Sequence, residues 1–504
     1  MVFNSYIFIL AFLPIVISGY FLINKHWSTK YKKNGLIWLL IASLVFYGYE
    51  EPKYLLLLVA SILVNFCVVI LITGLKQSNN KRDSIQKIIV SLGIILNILP
   101  LLYFKYSNFI LNSIESVFEA DWEVEVGLPI GISFFTFLQI AYIVDCYRSE
   151  DGFGYTFLEY ATYVAFFPKI TMGPIVLHDE IMPQLREADR KKVDYNNISQ
   201  GFYAFTLGLA KKVLIADVLA KFVSVGFQNV DGINSATAIF VMFSYTLQLY
   251  FDFSGYCDMA GGVAKMLNID LPYNFNSPYK ARSISEFWQR WHMTLTRFFT
   301  RYVYIPLGGS RKGKFRTYVN NMIVFLLSGI WHGANWTFIF WGLLHGILMV
   351  MEKIGKDIGF GFKALKGFGA KAVNSIKWLV TFIIINVTWV FFRAESIAQA
   401  FLYLKRIFSG GWKCQDNILE IFDKLIEVRL LERIGFAAVL DNYAHIAIWL
   451  ILVLLIASTV LLKNTQEKMK NPKYNWVRSV VTSILMVWCI ISLSDVSEFL
   501  YFNF

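Results

Sequence analysis

Uncharged, apolar runs recur from one end of the chain to the other, at 1–24, 54–75, 88–104, 127–144, 236–251, 318–351, 378–392, 444–462 and 479–494. Several reach the roughly 20 residues that cross about 30 Å of hydrocarbon, and the shorter ones read as tilted, re-entrant or protein-buried helices. Composition agrees: 56% of the 504 residues are hydrophobic and only 16% are charged, which is too apolar for a water-soluble chain of this size. The runs leave no room for a soluble domain of ordinary size. The expected fold is an all-α polytopic membrane protein, one domain over 1–504 with about 11 to 13 membrane helices, re-entrant and amphipathic helices among them. Met1–Asn24 lacks a basic leader and a small-residue cleavage site, so it reads as a retained first helix.

The net charge of +12 is explained by orientation rather than by nucleic acid. Lys25, Lys30, Lys32 and Lys33 follow the first run, and Lys76, Lys81, Arg82 and Lys87 lie between the second and third. Between Tyr106 and Tyr147 there is no Lys or Arg, while Glu115, Glu119, Asp121, Glu123 and Glu125 cluster there. Basic loops stay cytoplasmic, which puts the N-terminus outside. The lysines of 353–377 and the group Lys463, Lys468, Lys470, Lys473 and Arg478 mark two further cytoplasmic loops. The C-terminal tail then emerges on the outer face as well. The five cysteines are an odd number without a C-x-x-C pair, which supports neither a disulfide scaffold nor a metal site.

Two segments carry candidate chemistry. The stretch 280–316 holds nine Lys/Arg against one acid, Glu286. Trp288, His292, Leu295 and Phe299 fall on one helical face and Arg290, Thr294, Arg297 and Arg301 on another, which predicts an amphipathic helix at the cytoplasmic surface. Ser285 with Glu286 marks its start, and Ile305-Pro306-Leu307-Gly308-Gly309 its stop. Such a helix either lies in the interface with its arginines on anionic headgroups, or docks an anionic cytosolic substrate. An imidazole on the apolar face favours docking, because a polar ring facing lipid is costly. Gly308, Gly309 and Gly313 amid Arg311, Lys312 and Lys314 offer a phosphate cradle without a Walker pattern.

The second segment, LSGIWHGANW at 327–336, sets His332 inside an uncharged run. It reads either as a histidine hydrogen-bonded to a neighbouring helix or as a neutral general base, since desolvation disfavours the imidazolium. Gly329 and Gly333 permit close approach of a helix or of a narrow substrate. Asn335 offers a hydrogen bond to a carbonyl or to the ring. His345, thirteen residues on, points well away on the same helix and reads as structural. Asp252 and Asp258, in LYFDFSGYCDMAGG, are either packing residues or substrate-orienting groups. Phe499, Tyr501, Phe502 and Phe504 suit an aromatic belt at the outer interface.

These stretches resemble the membrane-bound O-acyltransferase family, in its bacterial alginate and peptidoglycan O-acetylation branch. The resemblance rests on LPIGISFFTFLQIAYIVDCYR (128–148), AFFPKITMGPI (165–175), YFDFSGYCDMAGGVAKML (250–267), the segment 271–311 with WHMTL and IPLGG, LLSGIWHGANWTFIFWGLLHG (326–346), WVFFRAES (389–396) and FLYFNF (499–504). It implies a helical bundle pierced by a central tunnel, with a catalytic core at about 128–351 and an acyl-relay tail at 495–504. His332 would be the essential histidine, His292 a second one lining the tunnel, and Tyr501 the acyl-carrying residue. Trp331, Asn335, Arg290, Trp291, Arg297 and Asp252 are the expected substrate-binding residues. The donor would be acetyl-CoA or another acyl-CoA, or an acyl carrier protein, with no tightly bound cofactor or metal. The expected partners are membrane lipid and an extracytoplasmic acyltransferase, in a bacterial cytoplasmic membrane. D-alanyl transfer to teichoic acid and a transporter or glycan exporter are the competing readings.

Overall fold

The computed structural model describes residues 1–27, 33–77, 83–118, 126–150, 152–359, 368–470, 475–495 and 499–500. Helices account for 81% of the described residues, and no strand occurs among them. Among the described residues six helices are long and apolar enough to cross a bilayer: Phe8–Lys25, Pro52–Gln77, Asp83–Ile114, Trp336–Asp357, Gly369–Arg393 and Tyr443–Leu461. Asn34–Glu50 and Trp476–Ile491 are shorter apolar helices. Their outward faces carry exposed Leu56, Leu71, Leu99, Leu450, Leu454 and Ile484, as lipid-facing helices do. The 11 to 13 expected also take in shorter and more polar helices. The difference lies in helices such as Ser235–Met266 and Lys314–His332, long enough to span but carrying Asp252 or Asn320 and Asn321, whose polarity is satisfied inside the protein rather than by lipid.

The chain divides into two compact units, 1–209 with 256–273 and 472–503, and 210–255 with 274–471 and Phe504. In the first, Asn65 on Pro52–Gln77 and Asn97 on Asp83–Phe118 exchange side-chain amide hydrogen bonds of 3.1 and 2.6 Å. Within hydrocarbon a reciprocal amide pair fixes the register of two helices that apolar contacts alone leave free to slide. In the same unit Phe3, Phe8, Phe12, Phe46 and Phe167 form a cluster, with ring centroids 4.9 to 6.4 Å apart.

The second unit holds both candidate histidine segments, and here the structure departs from the sequence expectation twice. The run 318–351 is two helices: Lys314–His332 ends at His332, Gly333 and Ala334 turn the chain, and Trp336–Asp357 begins with Asn335 as its cap. His332 and His345 are therefore on different helices, and the angle between them on one helix has no meaning. The hairpin closes by backbone contact. A Cβ on Gly329 would lie 2.4 Å from the Phe338 carbonyl oxygen, and one on Gly342 would lie 2.5 Å from that of Phe325.

The second departure is the stretch 284–304, which is a broken, largely buried element rather than one surface helix. Ile284–Trp288 and Met293–Phe299 are separate helices, continued by a π-helical turn at Thr300–Tyr304. Ser283, not Ser285, caps the first by accepting from the Glu286 amide at 3.1 Å. Ser285 instead donates to Glu352 of the following hairpin. The break has a visible cause. The 274–276 loop takes the backbone bonds a continuous helix would need: Asn276 N–H donates to the Arg290 carbonyl at 2.9 Å and Met293 N–H to that of Asn274 at 3.0 Å. The chain then stops at Gly308 and Gly309, with φ of 102° and 54°, as the IPLGG signal predicts.

Candidate active site

His292 sits at the break with φ 43° and ψ 51°, a left-handed conformation that β-carbon residues other than Asn and Asp rarely hold. It is wholly buried, and neither ring nitrogen hydrogen-bonds another residue among the described residues. Burial pushes its pKa down to about 3, so the ring is neutral at ordinary pH. Its neighbours are rings: Phe253 at 4.8 Å and Trp331 at 5.9 Å between centroids. Backbone strain and an unmatched buried imidazole are both costs, and they persist together mainly where they serve a function.

His332, the last residue of its helix, is 3% exposed. It stands edge-on to Trp331 at 4.8 Å, Trp341 at 5.2 Å and Phe392 at 5.2 Å. Trp331 thus touches both histidines, and its indole is the element that joins the two candidate segments. Trp291 stacks behind them on Phe287 at 5.5 Å and meets Trp389 at 5.1 Å, which in turn lies parallel to Trp341 at 5.7 Å. The result is an aromatic wall with two imidazoles set into it, a surface able to exclude water from an ester or thioester while offering nitrogen bases.

The other expected residues divide. Arg290 is committed to structure: its guanidinium pairs with Glu286 at 2.9 Å and donates to the Asn276 carbonyl at 3.1 Å. Asn335 is committed too, accepting from Thr337 N–H at 3.0 Å as a cap and donating to the Glu395 carbonyl at 3.1 Å. Arg297 lies half-buried on Met293–Phe299. Asp252 belongs to a different centre, a buried ion triad in which Lys212 lies 2.8 Å from both Asp252 and Asp217. Lys212 sits on a π-helical turn, Lys211–Ala216, with Asp217 just after it and Asp252 on Ser235–Met266. Arg311, Lys312, Lys314 and Arg316 are exposed around the 305–313 loop, which Asn320 secures by a 2.9 Å bond to the Gly309 carbonyl. Tyr501 and most of the 495–504 tail lie outside the described residues.

Sequence reasoning missed Trp341, Trp389, Phe392 and Phe253 as walls of the site, although GIWHGANWTFIFW and WVFF carry three of them. It also missed Lys212 and Asp217; Lys211-Lys212 inside the apolar LGLAKKVLIA was the available signal.

The sequence has known relatives. A family model, that of the membrane-bound O-acyltransferases, matches residues 56–392. The chain belongs to this family. It is a multi-pass membrane acyltransferase. It is 38% identical to a protein of Helicobacter pylori named "Peptidoglycan O-acetyltransferase", over 100% of this chain and 98% of that relative. It is 34% identical to the "Probable alginate O-acetylase AlgI" of Pseudomonas aeruginosa, over 82% of this chain and 76% of the relative. A "Teichoic acid D-alanyltransferase" of Streptococcus thermophilus is 27% identical over 68% and 80%. The acyltransferase family's matched region contains both histidines and the aromatic wall between them.

Proposed function

We propose that this acyltransferase moves an acetyl group from a cytosolic thioester to an extracytoplasmic cell-wall or exopolysaccharide glycan, in a bacterial cytoplasmic membrane with both termini outside. The observation that carries the reading is the pair of buried imidazoles meeting one indole, Trp331, within an aromatic enclosure. The exposed Arg311, Lys312, Lys314 and Arg316 suit the phosphates of acetyl-CoA or the acidic surface of an acyl carrier protein.

His332 acts as general base on the acceptor hydroxyl. The acceptor oxygen attacks the thioester carbonyl, the C–O bond forms as the C–S bond breaks, and the thiolate leaves and takes up the proton. His292 supports the carbonyl oxygen as charge develops on it. Tyr501 is the proposed first acceptor, because a phenol of pKa near 10 ionises more easily than a sugar alcohol; a partner acyltransferase outside then passes the group on.

Mass spectrometry of the C-terminal peptide, after purified protein is supplied with labelled acetyl-CoA, tests the relay. A mass gain of one acetyl on Tyr501, absent in His332→Ala, is the expected result. Glycan acetylation that survives Tyr501→Phe would replace the relay with direct transfer. The D-alanyl reading is favoured only by relatives of 27 and 29% identity; a labelled D-alanyl thioester consumed in place of acetyl-CoA would support it.

A further inference from the structure

The first unit contains a polar cavity on an otherwise apolar surface. It lies where Tyr195–Ala210 meets Trp476–Ile491 and has a volume of about 120 Å³, several times the ~30 Å³ a water molecule occupies in the liquid. Ser199, Gln200, Asn475, Arg478, Ser479 and Ser483 supply its polar lining, and Arg478 is the one formal charge among the lining residues. The Arg478 guanidinium lies over the Tyr203 ring at 3.6 Å, a stacking that fixes the plane of the fork.

The surroundings identify the occupant. Trp476, at the start of the second helix, is 77% exposed, the position of an interfacial tryptophan. Beyond it the same helix exposes Val477, Val480, Val481, Ile484 and Val487, a face for acyl chains. Ser479 and Ser483 are exposed one turn apart on this helix; the Ser479 hydroxyl makes a long 3.4 Å bond to the Asn475 carbonyl, and the Ser483 hydroxyl faces outward. Hydroxyls facing hydrocarbon are unfavourable unless something polar meets them. A headgroup that is anionic, accepts several hydrogen bonds and carries two apolar chains matches a cation, a set of donors and an adjoining aliphatic face.

We propose that this cavity binds the phosphate of an anionic phospholipid, with Arg478 and the hydroxyls of Ser199, Ser479 and Ser483 on the headgroup and the acyl chains along the valine and isoleucine face. The site is separate from the histidine centre and makes no use of the acyl-transfer reading.

The test is native mass spectrometry of the full-length protein incubated with phosphatidylglycerol or with phosphatidylcholine. The wild type should retain about tenfold more of the anionic lipid. Arg478→Gln should bring retention down to the phosphatidylcholine level, and Arg478→Lys should keep part of it. Ser479→Val with Ser483→Val, which leaves the stacked arginine in place, should give an intermediate loss. Equal retention of the two lipids by wild type, or retention unchanged in Arg478→Gln, would overturn the proposal. Melting curves with inorganic phosphate alone separate the sources: a rise matching that from phosphatidylglycerol would make this a free-anion site and remove the lipid. If Arg478→Gln does not fold, the double valine variant decides, since unchanged selectivity there refutes the hydroxyl contacts.

Discussion

His345 and His292 are equally inaccessible and are held in opposite ways. His345 has both nitrogens occupied: Trp288 Nε1–H donates to its Nδ1 at 3.2 Å, and its Nε2 lies 3.1 Å from Thr388 Oγ1. Because the Thr388 hydroxyl gives its own hydrogen to the Ile385 carbonyl at 2.9 Å, the imidazole must be the donor in that pair, which fixes the tautomer as Nε2–H. His292 has a left-handed backbone, rings of Phe253 and Trp331 against it, and neither nitrogen bonded to another residue among the described residues. Burial alone therefore does not distinguish a working histidine from a structural one. Under the proposed function, the distinction lies in whether the fold has already used the nitrogens.

That contrast can be broken most directly by activity. His332→Ala should lower acyl transfer by about 10²–10⁴-fold, the range for loss of a general base, with the melting temperature little changed; glycan acetylation in membranes is the measurement. His292→Asn, which tolerates the left-handed backbone, should also lose transfer while staying folded. Normal transfer in His292→Asn would erase the distinction drawn from the nitrogens, and normal transfer in His332→Ala would remove the proposed base.

A second expectation concerns stability. Lys212→Met strands Asp217 and Asp252 without their cation and should cost about 3–5 kcal/mol, read as a fall in thermal midpoint in detergent. His345→Gln should cost about 1–3 kcal/mol by leaving the Trp288 and Thr388 groups imperfectly matched, yet keep transfer per folded molecule near wild type. Loss of transfer without loss of stability would move His345 into the working class.

The smallest effect is at the surface. Glu159 closes a capping box with Thr156 and binds Arg186, 2.6 Å away, which holds its carboxyl down at about 2. A folded-state pKa below the ordinary value of about 4.3 contributes stability above that pH and loses it as pH falls toward 2. With Arg186 substantially exposed, Arg186→Gln should remove only about 0.5–1 kcal/mol at pH 7. The difference from wild type should shrink on acidification from pH 5 to pH 3 in urea melts. A difference that stays constant would assign the effect to packing.

Much of the fold was legible because lipid-facing helices must be apolar throughout, and the runs at 54–75 and 444–462 correspond to the spans found. The hairpin at 332–336 was hidden for the same reason: without a charge between the helices, periodicity reads straight through the turn, although Asn335 before an apolar run was a readable cap. The break at His292 was not legible. Histidine gives no propensity warning of a left-handed residue, and the bonds that impose it come from Asn274 and Asn276, sixteen to eighteen residues earlier. The site was legible as residue types and not as commitments: Arg290 and Asn335 look available in the sequence and are spent on Glu286 and Thr337 in the structure.

The glycine contact in the hairpin has a consequence for substrate breadth. With Gly329 and Gly342 in backbone contact, the helix that ends at His332 cannot part from its neighbour to admit a bulkier guest. Tolerance for longer chains than acetyl must come from trimming rings, with Trp341 and Phe392 the first candidates, so selectivity for size is written in side chains that a designer can exchange without disturbing the helix pair.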